Sequence, residues 1–226
     1  MAYGDDGMRR VGSGYGNMPG RISFSKTEVL HITLAVAVLT AAFSIVIWKM
    51  LEREGFILDM DPTMNIILII GTAFILVLFS FLAHEFGHKF VAQRYNTWSE
   101  FRAYPYGLIM ALILSLVFWF LFAAPGAVYI QGDLTKEMNG KISLAGPAVN
   151  FVISAVAIVI LLTLDIRGTI AFAIYLIAHL NVFLGLFNMV PVLPFDGSKI
   201  VAWSIPVYIM AVAVGVVELI TVFFVL

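Results

Sequence analysis

The sequence has no cysteine, and it has few charged residues for its length. Without cysteine there can be no disulfide bond and no thiolate metal ligand, so any metal ion must be held by imidazole or carboxylate groups. Charged residues make up only 12% of the chain, and the formal net charge is −1. No basic segment interleaved with aromatic residues is present, so we expect no nucleic-acid partner.

Apolar residues dominate instead, at 62% of the chain with a mean hydropathy of +1.01. This exceeds what a soluble domain of this size needs, and it predicts an all-α, multi-pass protein of a lipid bilayer. Charge-free runs place five spans, at 29–48, 65–83, 142–164, 168–195 and from 200 toward the C-terminus. A further charge-free stretch at 103–132 leaves the number of transmembrane helices at five to six.

The first 26 residues differ in composition from the rest, since six glycines interrupt a polar stretch that carries four Arg or Lys residues. Such a segment has too little apolar surface to form a core, so residues 1–26 are predicted to be a flexible cytoplasmic tail. Residues 27–226 are predicted to form one intramembrane domain.

The distribution of Lys and Arg predicts the orientation, because cytoplasmic loops are enriched in both. If the tail is cytoplasmic and 103–132 is a re-entrant segment, three cations lie outside: Lys49, Arg53 and Arg167. The other ten lie in the cytoplasm: Arg9, Arg10, Arg21, Lys26, Lys89, Arg94, Arg102, Lys136, Lys141 and Lys199. If 103–132 crossed the membrane once instead, the excess of Lys and Arg on the cytoplasmic side would almost vanish. The re-entrant arrangement is therefore favoured, in a protein of the cell membrane.

One motif carries chemistry: H-E-F-G-H at 84–88 follows directly on a charge-free apolar run. On a helix, the imidazoles of His84 and His88 are four residues apart on one face, where both can bind one zinc ion. Glu85 is then the candidate base for a metal-bound water. Ionisable groups at membrane depth are costly and indicate function. The alternative is that these are polar residues at the lipid–water interface.

A catalytic zinc site needs a third protein ligand. The candidates within apolar sequence are His31, His179, Asp196 and Glu218. Asp196 is favoured because Pro191 and Pro194 interrupt the helix before it. Broken helices at membrane depth occur only where they are buried in protein or line a water-filled cavity. Asp196 can meet the two histidines only if the second and fourth spans end at the same face, which again requires 103–132 to be re-entrant.

Three elements in this order resemble the site-2 protease family of intramembrane zinc metalloproteases. They are the motif at 84–88, Gly146-Pro-Ala-Val-Asn150, and Asn188 followed by Pro191 and by Asp196-Gly197. They cover about residues 65–200, which would form a catalytic core of three helices. A re-entrant or β-hairpin segment would follow the first of these helices, the one that carries the motif at 84–88. The sequence departs from the usual pattern in having Phe195 before Asp-Gly and an apolar insert at 107–124.

The resemblance implies one Zn²⁺ per chain, held by His84, His88 and Asp196, with Glu85 as catalytic base. It also implies that Asn188 acts in catalysis, and that Asn150 and Gly146 bind substrate. The implied function is hydrolysis of peptide bonds in or near transmembrane helices of membrane-protein substrates, at a site toward the cytoplasm.

Two alternatives remain open. One is a different integral zinc metalloprotease, whose third ligand is Glu218. The other is a non-enzymatic metal-binding scaffold or carrier. If the chain is a protease, segments 101–106 and 126–131 are candidates for a strand edge that holds the substrate. The oligomeric state and the identity of the substrate are not predicted.

Overall fold

The computed structural model describes residues 22–53, 61–119 and 125–226. Residues 1–21, which contain most of the predicted tail, therefore lie outside the described part, as do 120–124 of the insert. Within the described residues the elements are α1 (Lys26–Arg53), α2 (Pro62–Leu76), α3 (Ala83–Arg94), β1 (Trp98–Ala103), α4 (Pro105–Phe118), β2 (Gly126–Gln131), α5 (Lys136–Thr163), α6 (Gly168–Asn188), α7 (Asp196–Trp203) and α8 (Ile205–Phe224).

In the part of the chain that the structure describes, five helical segments are long and apolar enough to cross a membrane, as the sequence predicts. They are α1, the continuous segment Pro62–Arg94, α5, α6 and α8. In the second of these, a π-helical turn at Val77–Leu82 joins α2 to α3. Asp61 starts this segment by accepting hydrogen bonds from the amides of Thr63 and Met64, which satisfies two donors that a helix start leaves free.

The charge-free stretch 103–132, whose topology was ambiguous in the sequence, contains the end of β1, α4 and β2, and the two strands form a hairpin around α4. β1 and β2 pair antiparallel, from Trp98 opposite Gln131 to Ala103 opposite Gly126. Because Ala103 and Gly126 are neighbours, the chain between them returns to the place it left. The 14 residues of α4 span about 21 Å, less than the roughly 30 Å of bilayer hydrocarbon. The re-entrant prediction is confirmed.

Helix α5 lies at the centre of the fold and packs against α3, α6, α7 and α8. Glycine allows α3 to approach it closely, since a Cβ on Gly87 would lie 2.8 Å from the carbonyl oxygen of Ala145. Phe151 of α5 forms an apolar cluster with Met189 and Ile200, which seats the start of α7 below the end of α6. This packing brings α3, α5 and α7 together at one end of the molecule.

The predicted fourth and fifth spans differ from the observed helices at their ends. The fourth was predicted over 168–195, but α6 ends at Asn188 and residues 189–195 are not helical. Pro191 and Pro194 lie in this stretch and cannot supply helical N–H groups. The last span begins at Ile205 rather than 200, because Pro206 is accommodated only in the first turn of a new helix.

Candidate active site

Three predicted metal ligands converge in the structure. The Nε2 atoms of His84 and His88, both on α3, lie 3.0 Å apart. Asp196, the first residue of α7, directs Oδ2 to within 3.5 Å of the former and 3.1 Å of the latter. All three residues are buried. Helical spacing alone makes neighbours of the two imidazoles, whereas Asp196 arrives from 108 residues further along than His88 because α7 folds back beneath α5.

The hydrogen bonds behind each imidazole leave its Nε2 free to bind a cation. Nδ1 of His88 lies 2.8 Å from the carbonyl oxygen of Ile142. A carbonyl can only accept, so Nδ1 carries a proton, and in the neutral imidazole Nε2 then has the lone pair. Nδ1 of His84 lies 2.6 Å from Oδ1 of Asn150. This oxygen also accepts, so the Nδ1 of His84 carries a proton in the same way. Two lone pairs 3.0 Å apart beside a carboxylate repel one another unless a positive charge lies between them.

The donor set and its spacing fit zinc. Ligand atoms about 2.0–2.1 Å from a tetrahedral zinc ion are separated from one another by about 3.3 Å, close to the distances between these three atoms. The other oxygen of Asp196 faces Lys199 at 3.8 Å.

Gly146 of α5 forms the surface on which the imidazoles rest. A Cβ at this position would overlap Nε2 of His88 and would lie 2.7 Å from Cε1 of His84. Substrate binding by Gly146 stays a prediction; in the structure, Gly146 lies against the two metal-ligand candidates. Its lack of a side chain is therefore a requirement of the site.

Asn150 is one turn further along α5 and is completely buried. Its Oδ1 faces His84, and its Nδ2 donates to the carbonyl oxygen of Ser80 at 3.0 Å and to Oδ1 of Asn181 at 2.7 Å. Substrate binding by Asn150 stays a prediction. The observed contacts place Asn150 behind a metal-ligand candidate, with both ends of its amide in use.

Glu85 lies beside the three converging residues and is also buried. It is close enough to interact electrostatically with both histidines and with Asp196. Its Oε2 accepts a hydrogen bond from the backbone N–H of Val128, at 3.0 Å. The carboxylate is thus positioned between the metal-binding group and strand β2, where a general base for hydrolysis would be needed.

The remaining candidates make their hydrogen bonds and ring contacts outside the group of His84, His88 and Asp196. Asn188 donates from Nδ2 to the carbonyl oxygen of Leu184 in its own helix, at 3.0 Å. Nδ1 of His31 accepts from the backbone N–H of Ala103 at 3.2 Å, so His31 holds strand β1. The ring of His179 contacts those of Tyr175 and Phe223. Glu218 is half-buried in α8 beside Ser154. Among the described residues, the group of His, Asp or Glu side chains that could hold a metal ion contains Asp196 and not Glu218.

An ion pair next to the site was missed in the sequence. Glu28 of α1 and Lys89 of α3 are both completely buried, and Nζ of Lys89 lies 2.8 Å from each carboxylate oxygen. Lys89 also donates to the carbonyl oxygen of Ser99 at 2.9 Å, and the N–H of Phe101 donates to Glu28 at 2.9 Å. The pair therefore ties α1 and β1 to the helix that carries the histidines. The one sequence feature that could have indicated this ion pair is a lysine directly after the motif at 84–88.

Comparison with known proteins gives several relatives. MJ0611 of Methanocaldococcus jannaschii, provisionally named a zinc metalloprotease, is 39% identical over 183 residues, covering 80% of this chain and 86% of that protein. The zinc metalloprotease MJ0392 of the same organism is 32% identical over 127 residues, 56% of this chain and 32% of the relative.

Rip3 of Mycobacterium tuberculosis, also provisionally named a zinc metalloprotease, is 32% identical over 131 residues, or 56% of this chain and 29% of the relative. No family model matches the chain. No solved structure matches it either.

Proposed function

This chain belongs to the site-2 protease family of zinc metalloproteases, and from that premise we propose that it cleaves membrane proteins in or near their transmembrane helices. The observation that carries the proposal is the convergence of His84, His88 and Asp196 beside Glu85. The group lies where the membrane-spanning segment Pro62–Arg94 meets the broken chain after α6. A zinc metalloprotease whose site is built from such helices is suited to substrates in the same bilayer.

Zinc is the cofactor of this enzyme, and we assign one ion to His84, His88 and Asp196. The two Nε2 lone pairs and one carboxylate oxygen form a three-ligand set that leaves a fourth position open, which is typical of catalytic zinc. When bound, zinc polarises a carbonyl oxygen and lowers the pKa of water toward about 7. The alternative with Glu218 as third ligand lacks this geometric support, since Glu218 lies beside Ser154.

Glu85 is the proposed general base. Its carboxylate takes a proton from the attacking water as the new C–O bond forms at the scissile carbonyl carbon. The protonated Glu85 then gives that proton to the amide nitrogen as the C–N bond breaks. Asn188 is proposed to donate a hydrogen bond to the oxyanion. One of its two amide protons is used by Leu184, and the other remains for this purpose.

Strand β2 is the proposed docking site for an extended substrate segment. The N–H of Val128 points away from β1, toward Glu85. The corresponding outer edge of β1 faces α1 instead of the site, because the N–H groups of Phe101 and Ala103 are bonded to side chains of α1. An unwound substrate that pairs with β2 would place its backbone next to Glu85.

We propose that the N-terminus is cytoplasmic and that the site faces the cytoplasm. Contact between Glu28 at the start of α1 and Lys89 on α3 puts the beginning of the first span at the same end as the site. That end also carries the hairpin and the start of α5, and most of the Lys and Arg residues that the structure describes belong to it. The positive-inside rule assigns such an end to the cytoplasm.

The decisive test compares wild type with Glu85→Gln in detergent, measuring bound zinc and cleavage of single-span proteins. We expect about one zinc per chain in both proteins, because Glu85 is not a ligand, and cleavage by the wild type alone. Wild type without metal would refute the proposed site. Full activity of the zinc-loaded Glu85→Gln protein would favour the scaffold or carrier.

A further inference from the structure

A second buried asparagine extends the polar network behind His84. Asn181 lies in the middle of α6 and is completely buried. Its Nδ2 donates to Oγ of Ser80 and to the carbonyl oxygen of Ile177, both at 2.9 Å. Its Oδ1 accepts from Nδ2 of Asn150 at 2.7 Å. Four polar groups from three membrane-spanning segments thus meet in an otherwise apolar region: the side chains of Ser80, Asn150 and Asn181 and the carbonyl of Ile177. Each of them would be costly there without a hydrogen-bond partner.

These contacts fix which way each amide points. The carbonyl of Ile177 can only accept, so the side of Asn181 that faces it must be the NH₂ group. Its oxygen therefore faces Asn150. The neighbouring side of Asn150 lies against two acceptors, this oxygen and the carbonyl of Ser80, so it too must be the NH₂ group. A rotated Asn150 would place its oxygen against both.

The orientation of Asn150 in turn determines the protonation of His84. With its oxygen toward the imidazole, Asn150 accepts the proton on Nδ1 and leaves Nε2 as a lone pair. If Asn150 were rotated, its NH₂ group would face Nδ1. The imidazole would then accept there and carry its proton on Nε2, the atom that faces His88 and Asp196. In that tautomer His84 cannot be a metal ligand.

We propose that Asn181 is a positioning residue that acts together with the carbonyl of Ser80: both hold Asn150 in the orientation that selects the zinc-binding tautomer of His84. The inference rests on the proposed zinc site. Ser80, the partner of both asparagines, lies in the π-helical turn four residues before His84. In this turn helical hydrogen bonds are displaced, as between the N–H of Ala83 and the carbonyl of Leu78. π-Helical turns are frequent at functional sites, and here the turn receives the polar contacts of α5 and α6.

The test measures Zn²⁺ affinity of the metal-stripped full chain in detergent, by competition with a chromophoric chelator. Asn181→Leu removes the amide and keeps the branching of the side chain. It should weaken zinc binding by at least about threefold, which is less than the roughly 10–100-fold that follows loss of a ligand's direct partner, because the carbonyl of Ser80 still accepts one amide proton of Asn150. Val182→Ala is the matched control. Val182 is equally buried on the same helix but packs in the apolar cluster with Ala178 and Val222, so it should lower stability and leave zinc affinity unchanged.

A second background separates orientation from general damage. Asn150→Asp presents oxygen on both sides, so it accepts from His84 whichever way it is rotated. In that background Asn181→Leu should change zinc affinity by less than about twofold, within the usual error of additivity. An equal loss in both backgrounds, an unchanged affinity of the single Asn181→Leu variant, or an equal loss in Val182→Ala would overturn the inference. A wild type that binds no zinc would refute the proposed function as well.

Discussion

Replacing Lys89 with methionine is the perturbation for which the structure gives the clearest magnitude. The substitution keeps most of the side-chain length and removes the ammonium group from a completely buried pair. Glu28 then retains the hydrogen bond from Phe101, but its charge has no compensation. Loss of one partner of a buried ion pair typically costs about 3–5 kcal/mol, so we expect a decrease of that size in the free energy of unfolding.

The same pair predicts that a second substitution restores stability. Glu28→Gln in the Lys89→Met background removes the remaining charge and keeps an oxygen for the N–H of Phe101. Replacing both members of a buried pair is often close to neutral, although here the carbonyl of Ser99 also loses its donor. The double variant should therefore be more stable than Lys89→Met alone, with an interaction energy of at least about 1 kcal/mol in the double-mutant cycle.

The assay is equilibrium unfolding of the purified protein in mixed micelles, with all four members of the cycle measured together. Lys49→Met is the control, because Lys49 pairs with Glu52 at 2.7 Å but both are exposed, and such pairs contribute about 0–1 kcal/mol. The reasoning is wrong if the effects at Glu28 and Lys89 simply add, or if Lys89→Met costs no more than Lys49→Met.

Two further predictions concern the site. Asp196→Ala should lose stoichiometric zinc, measured by metal analysis after gel filtration, while Glu218→Ala keeps it; the reverse result would make Glu218 the third ligand. Val128→Pro removes the N–H that faces Glu85 and should lower cleavage far more than Val128→Ala does, with zinc content unchanged. Equal cleavage by the two variants would exclude a role of this strand edge.

The convergence of the metal-binding group could be predicted from the sequence because its signals are local. Helical spacing puts His84 and His88 on one face, and the prolines before Asp196 mark a break that the membrane tolerates only beside a polar site. The charge bias and the need for Asp196 to reach the histidines both predicted a re-entrant segment. In the structure, pairing between Ala103 and Gly126 returns the chain to its starting side.

Other features depend on contacts that no local pattern reveals. Glu28 and Lys89 are charged residues near the ends of spans, where charges usually face water or headgroups. Only the packing of α1 on the hairpin buries them. Hydropathy extended the fourth span beyond Asn188 because the following residues are apolar, although prolines end the helix there. The contact between Asn150 and His84 was not predicted, because it depends on how closely α3 and α5 pack and not on the motif that contains Asn150.

The two imidazoles differ in what holds them, and this makes them unequally open to variation. His88 is held by the main-chain carbonyl of Ile142, a group that every amino acid at position 142 would provide. His84 is held by a side chain, which a single codon change can remove. A single substitution can therefore change metal affinity by removing the partner of His84, whereas no substitution at position 142 removes the partner of His88.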